Sequence, residues 1–404
     1  MSEWGQTDLK IQWVPNSRIN ENSELCRALS AGETGKALAF HKSFPNYSPT
    51  PLADLKAAAN HLGVGSLYVK DESYRFGLNA FKVLGATYAM GRVLAERLGE
   101  DIGDLPHSRL VSPEIRKKLG DITFYATTDG NHGAAVAWTA RELGQKSVIY
   151  MPKGSSPARL ENIRQYGAQA SITELNYDDG VRFAQAQAVK TGGVMIQDTA
   201  WEGYEKIPLW IMQGYATLAA EALSQMPEKP THVFLQAGVG SFAGAVQGYL
   251  AALYGKEAPK VVVMEASAAD CFYRSAVAGD GKARFVGGDM YTLMAGLACG
   301  EPNTLAFELL TSWSKAFVSC PDWVTAYGMR ILGNPMGSDQ RVVSGESGAV
   351  GMGLLASVME NRELSDLKAL LDLNENSRVL LISTEGATDP GTYRDIVWRC
   401  RNAY

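Results

Sequence analysis

Ile122-Thr123-Phe124-Tyr125-Ala126-Thr127-Thr128-Asp129-Gly130-Asn131-His132-Gly133-Ala134 is the stretch from which the fold is legible. Residues 122–126 are β-branched and aromatic and predict a strand; residues 131–143 predict the helix after it. Working outward, residues 147–151 predict a second strand and residues 157–166 a second helix. Pro157 stands at that helix's start, where its missing N–H does no harm, and Gly167 stands just past its end. Another strand and helix follow, and residues 194–196 end the set. A second run comprises a helix over 203–224, a strand over 232–235, a helix from Ser241 and a strand over 260–264. Residues 378–382 predict a last, buried strand. Strands alternating with helices in this way lead to parallel sheets. The expected fold class is α/β, with two open, twisted, mostly parallel sheets flanked by helices.

Composition narrows the function. The chain has 404 residues, 46% of them hydrophobic and 20% charged, with a net charge of −5. That is an ordinary soluble profile. The basic cluster at Arg116, Lys117 and Lys118 is short and reads as a solvated helix face, so a nucleic-acid partner is not expected. Residues 1–6 lack the basic start and apolar run of a signal peptide, and no run approaches the ~18 apolar residues of a membrane span. The five cysteines (Cys26, Cys271, Cys299, Cys320 and Cys400) are scattered, with no CxxC spacing. Such spacing speaks against a zinc site and for a reducing, cytoplasmic setting. His41, His61, His107 and His232 show no ligand pattern, and no metal is expected.

Four local patterns carry chemistry. The first is Leu67-Tyr68-Val69-Lys70-Asp71-Glu72-Ser73, followed by Arg75-Phe76-Gly77-Leu78-Asn79-Ala80-Phe81-Lys82. It sets Lys82 at a helix start just after a glycine-containing turn. A lysine held there, partly desolvated, has an amine able to be neutral and nucleophilic. The second is the turn Thr127 to Ala134, whose exposed helix-start N–H groups suit a carboxylate. The third is Gln236-Ala237-Gly238-Val239-Gly240-Ser241-Phe242-Ala243-Gly244, whose glycines let backbone N–H groups close around a phosphate. Gly238, Gly240 and Ala243 also fit the dinucleotide pattern GxGxxA, with Glu265 at the end of the next strand as a ribose ligand. A nicotinamide-dependent dehydrogenase therefore stays open as an alternative. The fourth is Leu381-Ile382-Ser383-Thr384-Glu385-Gly386, which ends the last strand.

Together these patterns resemble the fold-type II pyridoxal-phosphate enzymes, the family of threonine dehydratase, threonine synthase and the tryptophan synthase β chain. The resemblance runs from Thr50-Pro51-Leu52 to the last hundred residues. It implies a cofactor in a cleft between a discontinuous large domain, residues 1–82 and 195–404, and a small domain, residues 83–194. It implies that Lys82 carries pyridoxal 5'-phosphate and that Asn131 bonds the ring oxygen. It further implies that Gly238, Val239, Gly240 and Ser241 take the phosphate. Ser383, with Thr384 the close alternative, would meet the ring nitrogen. Thr128, Gly130 and His132 belong to the loop expected to hold the substrate carboxylate.

Within the family the similarity is greatest to members acting on small diamino acids. That implies elimination of ammonia from 2,3-diaminopropionate, in both D and L forms, to give pyruvate. A serine or threonine dehydratase is the alternative inside the class. Asp129 departs from the small neutral residue usual in the family's loop; it is either a helix N-cap or a catalytic group. Asp198, in Gln197-Asp198-Thr199-Ala200-Trp201, is a candidate partner for the substrate ammonium. The α-hydrogens of D and L isomers point to opposite faces of the cofactor, and one lysine reaches one face. Lys82 for the L isomer and Asp129 for the D isomer are therefore the expected bases. A homodimer is expected from the family alone.

Overall fold

The computed structural model describes residues 10–128 and 130–403, with the backbone alone at Asp178. The chain divides into two compact units. The first comprises the described residues up to Arg27, Thr50–Tyr74 and the described residues from Leu218 onward; the second comprises Ala28–Pro49 and Arg75–Thr217.

The strands of the first unit are β1 (Gln12–Pro15), β2 (Leu52–Asp54), β3 (Ser66–Asp71), β8 (His232–Gln236), β9 (Lys260–Ala266), β10 (Ala316–Cys320) and β11 (Arg378–Ser383). They form one sheet in the order β1-β10-β9-β8-β11-β3-β2. Its inner pairs are parallel, and only the outermost strands β1 and β2 run antiparallel to their neighbours. Val261, Val262 and Val263 of β9 are wholly buried, as the continuous apolar run of a strand covered on both faces requires. The register sets Ser383 at the end of β11 opposite Asp71 at the end of β3. The C-terminal end of the sheet thus gathers the polar residues of the quoted motifs.

The second unit holds β4 (Thr123–Thr127), β5 (Lys146–Met151), β6 (Gln169–Ile172) and β7 (Val194–Met195), all parallel, in the order β6-β5-β4-β7. The helix Asn131–Glu142 follows β4 directly, as the opening stretch predicts. The α/β class with mostly parallel sheets is what the sequence led one to expect. Strands β1, β2, β3 and β10 were not foreseen. The first two, of four and three residues, owe their existence to a neighbouring strand rather than to their own pattern.

The division of the chain differs from 1–82 with 195–404 against 83–194. Lys82 and Asp198 both fall in the second unit, and so does the first part of the helix Lys206–Gln225. Close helix packing is the reason. A Cβ on Gly214 would lie 2.3 Å from Leu84 O, and one on Gly85 would lie 2.5 Å from the Tyr215 ring. Two helices that touch backbone to backbone belong to one unit, whatever the order of strands around them. His41, wholly buried, adds a third element by bonding Leu84 O and Thr217 Oγ1, each at 2.9 Å.

Candidate active site

Lys82 is the N-cap of the helix Val83–Leu98, which is buried along most of its length. The turn before it is tight: Phe76 and Asn79 both have positive φ, at 50° and 60°. Non-glycine residues there cost energy that surrounding contacts must offset. The Phe76 ring supplies such contacts, packing on Trp138, Phe44 and Tyr47 at centroid distances of 5.2, 5.8 and 6.1 Å.

The Lys82 amine lies 2.8 Å from Asp198 Oδ2, with side-chain exposures of 21% and 6%. Burial by itself would raise the Asp198 carboxyl. Lys82 beside it outweighs that and holds it at about 2. Asp198 is therefore an anion inside the protein. Burial lowers the pKa of His132, which is 5% exposed. It is thus a neutral ring, and its Nε2–H donates to Ile196 O at 2.8 Å. Three further bonds hold the segment that presents Asp198. Tyr204 donates its O–H to Met195 O and accepts from Gln197 N, each at 2.9 Å, and Gln197 Nε2 donates to Tyr177 Oη at 2.6 Å. Neither Tyr204 nor Gln197 was singled out by the sequence, because a tyrosine clasp on a neighbouring backbone has no spacing signature.

Thr128 ends the β4 motif with its Oγ1 accepting from Gly130 N at 2.9 Å. Its methyl group lies where a side chain on Gly133 would come within 2.2 Å, so glycine alone fits there. Gly130 caps the following helix without a side chain, and Asn131 is its first residue. Asp129 lies outside the described residues.

The remaining candidates stand in the first unit. Gly240 (φ 90°) caps the helix Ser241–Tyr254 without a side chain. A Cβ on it would meet Phe272 Cζ at 2.4 Å, and one on Gly238 would meet Gly296 O at 3.1 Å. Asn303, wholly buried, staples the loop: its N–H donates to Val239 O at 2.8 Å and its Nδ2 to Ser241 Oγ at 2.7 Å. Its place before the helix Thr304–Trp313 was a readable N-cap signal, but its tie to the glycine loop was not. At the end of β11, Ser383 Oγ donates to Ser344 Oγ at 2.8 Å, and Thr384 Oγ1 accepts from Gln236 Nε2 at 3.1 Å.

Glu265 decides against the dinucleotide alternative. It is wholly buried, and both its oxygens accept backbone N–H groups, from Phe272 at 2.8 Å and Tyr273 at 2.7 Å. Burial pushes its pKa up to about 8 despite those bonds. The carboxylate expected to hold a ribose instead caps the helix Cys271–Ala278 from inside. Among the described residues Cys271 and Cys299 form no disulfide.

These residues fit pyridoxal phosphate. A half-buried amine stands at a rigid helix start, a glycine turn leads into a helix with no capping side chain, and hydroxyls close the last strand. Comparison with known proteins agrees. Residues 44–385 match the model of the pyridoxal-phosphate-dependent enzyme family. A diaminopropionate ammonia-lyase of Salmonella typhimurium is 52% identical over 382 residues, 93% of this chain and 95% of that protein. Its Escherichia coli counterpart is 50% identical over 399 residues, 98% of each. The solved structure of the Escherichia coli enzyme with an aminoacrylate–PLP azomethine reaction intermediate superimposes with a TM-score of 0.88, at 48% identity and 98% coverage of both chains.

Proposed function

This chain belongs to the pyridoxal-phosphate-dependent enzymes, and within them to the diaminopropionate ammonia-lyases, and from that premise we propose that it converts 2,3-diaminopropionate to pyruvate and ammonia. The observation that carries the choice of substrate is the buried anionic carboxylate of Asp198, 2.8 Å from the Lys82 amine. A hydroxy amino acid has no second ammonium for such a carboxylate to meet; a diamino acid does.

In this reading the bound cofactor supplies the electron sink for the charge left when the α-carbon loses its proton. The protein's residues do the rest. Lys82 carries the cofactor and is the base for the L isomer. Asp129 is the base for the D isomer. Asp198 receives the distal ammonium and keeps it charged, and so a good leaving group. Thr128, Gly130 and His132 support the loop that takes the substrate carboxylate, with Asn131 toward the ring oxygen. The N–H groups of Gly238, Val239, Gly240 and Ser241 take the phosphate, and a hydroxyl of Ser383 or Thr384 serves the ring nitrogen. A homodimer in the cytoplasm completes the proposal. Among the described residues no helix is long and apolar enough to cross a membrane.

The test is pyruvate release from D- and L-diaminopropionate beside serine and threonine, with borohydride fixing the cofactor to its lysine. Both isomers turning over and label on the Lys82 peptide are expected. Turnover confined to serine or threonine, or label on another lysine, overturns the reading. Asp129→Asn keeps the shape but removes the base. D turnover should then collapse while L turnover survives in part; equal loss of both means that Asp129 serves a step common to the isomers.

A further inference from the structure

Gln236 ends β8, one residue before the glycine loop, and is 2% exposed. Its Nε2 lies 2.9 Å from Ile382 O, 3.1 Å from Ser347 O and 3.1 Å from Thr384 Oγ1. Two of these are backbone carbonyls, which can only accept, so this end of the amide is the NH2 group. Its other end, Oε1, is buried with no hydrogen-bond partner among the described residues. The side chain thus leaves an acceptor unpaired in order to aim its donors at the ends of β11 and of the segment at Ser347.

A consequence follows for Thr384, which is 4% exposed. Its Oγ1 accepts from Gln236, so its own hydrogen must go to another acceptor. Among the described residues Thr384 Oγ1 donates to no protein acceptor. Ser383 differs: it is wholly buried, and its Oγ donates to Ser344 Oγ at 2.8 Å, with Glu385 O at 3.3 Å. Its donor is used within the protein.

Building on the cofactor reading above, we propose that Gln236 is a positioning residue that turns the Thr384 hydroxyl into a donor, and that Thr384, not Ser383, meets the ring nitrogen of pyridoxal phosphate. A donor hydroxyl calls for an unprotonated ring nitrogen. One buried amide therefore sets both the partner and the protonation of the ring, from a position on the strand that leads into the phosphate loop.

The holoenzyme, loaded with pyridoxal phosphate isotopically labelled at its ring nitrogen, tests this by nitrogen NMR, with cofactor affinity from equilibrium dialysis and a melting curve for each variant. Thr384→Val should weaken the cofactor roughly tenfold, the loss of one hydrogen bond, and move the ring-nitrogen resonance. Ser383→Ala should change neither by more than about twofold. Gln236→Met should move the resonance in the same direction as Thr384→Val and add nothing in that background, as a pair acting through one contact does. Gln236→Glu is the second variant, independent of how Gln236→Met folds. Protonated, it still donates to Thr384 and keeps the wild-type resonance; ionised, it accepts from Thr384 and moves the signal, so the resonance should titrate with pH. A resonance that moves with Ser383→Ala and not with Thr384→Val overturns the proposal. So does a Gln236→Glu signal flat across pH, or a Gln236→Met shift that adds to that of Thr384→Val. Wild-type protein that binds no pyridoxal phosphate overturns the cofactor reading itself, a separate result.

Discussion

The pairing of Lys82 with Asp198 makes a quantitative claim at the level of one residue. The Asp198 carboxyl titrates at about 2 in the folded protein against an ordinary 3.8. A depressed folded value means a stabilising contribution that is complete above pH ~4 and is lost as pH falls through about 2. The difference corresponds to about 2 kcal/mol. In cofactor-free protein, Asp198→Asn should cost about that much at pH 7, and denaturant titrations at falling pH should show the gap closing toward pH 2. A gap as large at pH 2 as at pH 7 means that the carboxylate's charge is not what Lys82 responds to. Glu265 shows the opposite balance. Burial outweighs two backbone N–H donors and pushes its pKa up to about 8, and with both oxygens already accepting those donors it is a helix cap and not a ligand for a ribose.

Elements impose stricter limits than single charges, because backbone cannot move aside. The helices Val83–Leu98 and Lys206–Gln225 approach through Gly85 and Gly214, and the nearest atom to a Cβ at Gly214 is the Leu84 carbonyl oxygen at 2.3 Å. Gly214→Ala, ordinarily favourable in a helix by propensity, should here destabilise by about 1–3 kcal/mol through overpacking. A thermal melt checks the sign: a raised melting temperature refutes the close approach. The glycine loop is constrained in a different way. Gly240 combines a φ of 90° with Phe272 Cζ 2.4 Å from where its Cβ would stand. Gly240→Val should destabilise the fold and, in whatever folds, shift the loop proposed to hold the phosphate and weaken cofactor binding, because its side chain meets Phe272 at a φ that L residues rarely adopt. Equilibrium dialysis giving an unchanged dissociation constant in a folded variant would place the phosphate elsewhere.

For the whole chain, a cofactor that binds only the folded state should act as a stability ligand. At about 100 times its dissociation constant, a ligand that binds only the folded state adds ~2.7 kcal/mol. Pyridoxal phosphate should therefore raise the melting temperature of the cofactor-free protein, and Lys82→Ala should remove most of that rise as well as lowering the melt without cofactor, since Asp198 loses its buried partner. A wild-type melt indifferent to the cofactor contradicts the assignment.

The alternation of strand and helix from residue 122 onward determined the α/β class, because side-chain periodicity is local and burial on both faces leaves runs such as Val261 to Met264 visibly apolar. The glycine turns and the Lys82 context were legible for the same reason: each needs particular residues at fixed spacing along the chain. Which helices share a unit was not legible. That depends on glycines at Gly85 and Gly214 meeting across a long stretch of sequence, and nothing local marks the pair. The clasps on the Asp198 segment from Tyr204 and His132, the Asn303 tie to the glycine loop, and the different partners of the Ser383 and Thr384 hydroxyls were likewise decided in three dimensions. A hydroxyl's role depends on whether the neighbour it already bonds gives it a proton or takes one. That neighbour, Gln236 for Thr384 and Ser344 for Ser383, comes from a strand or loop that sequence distance hides and the sheet brings alongside.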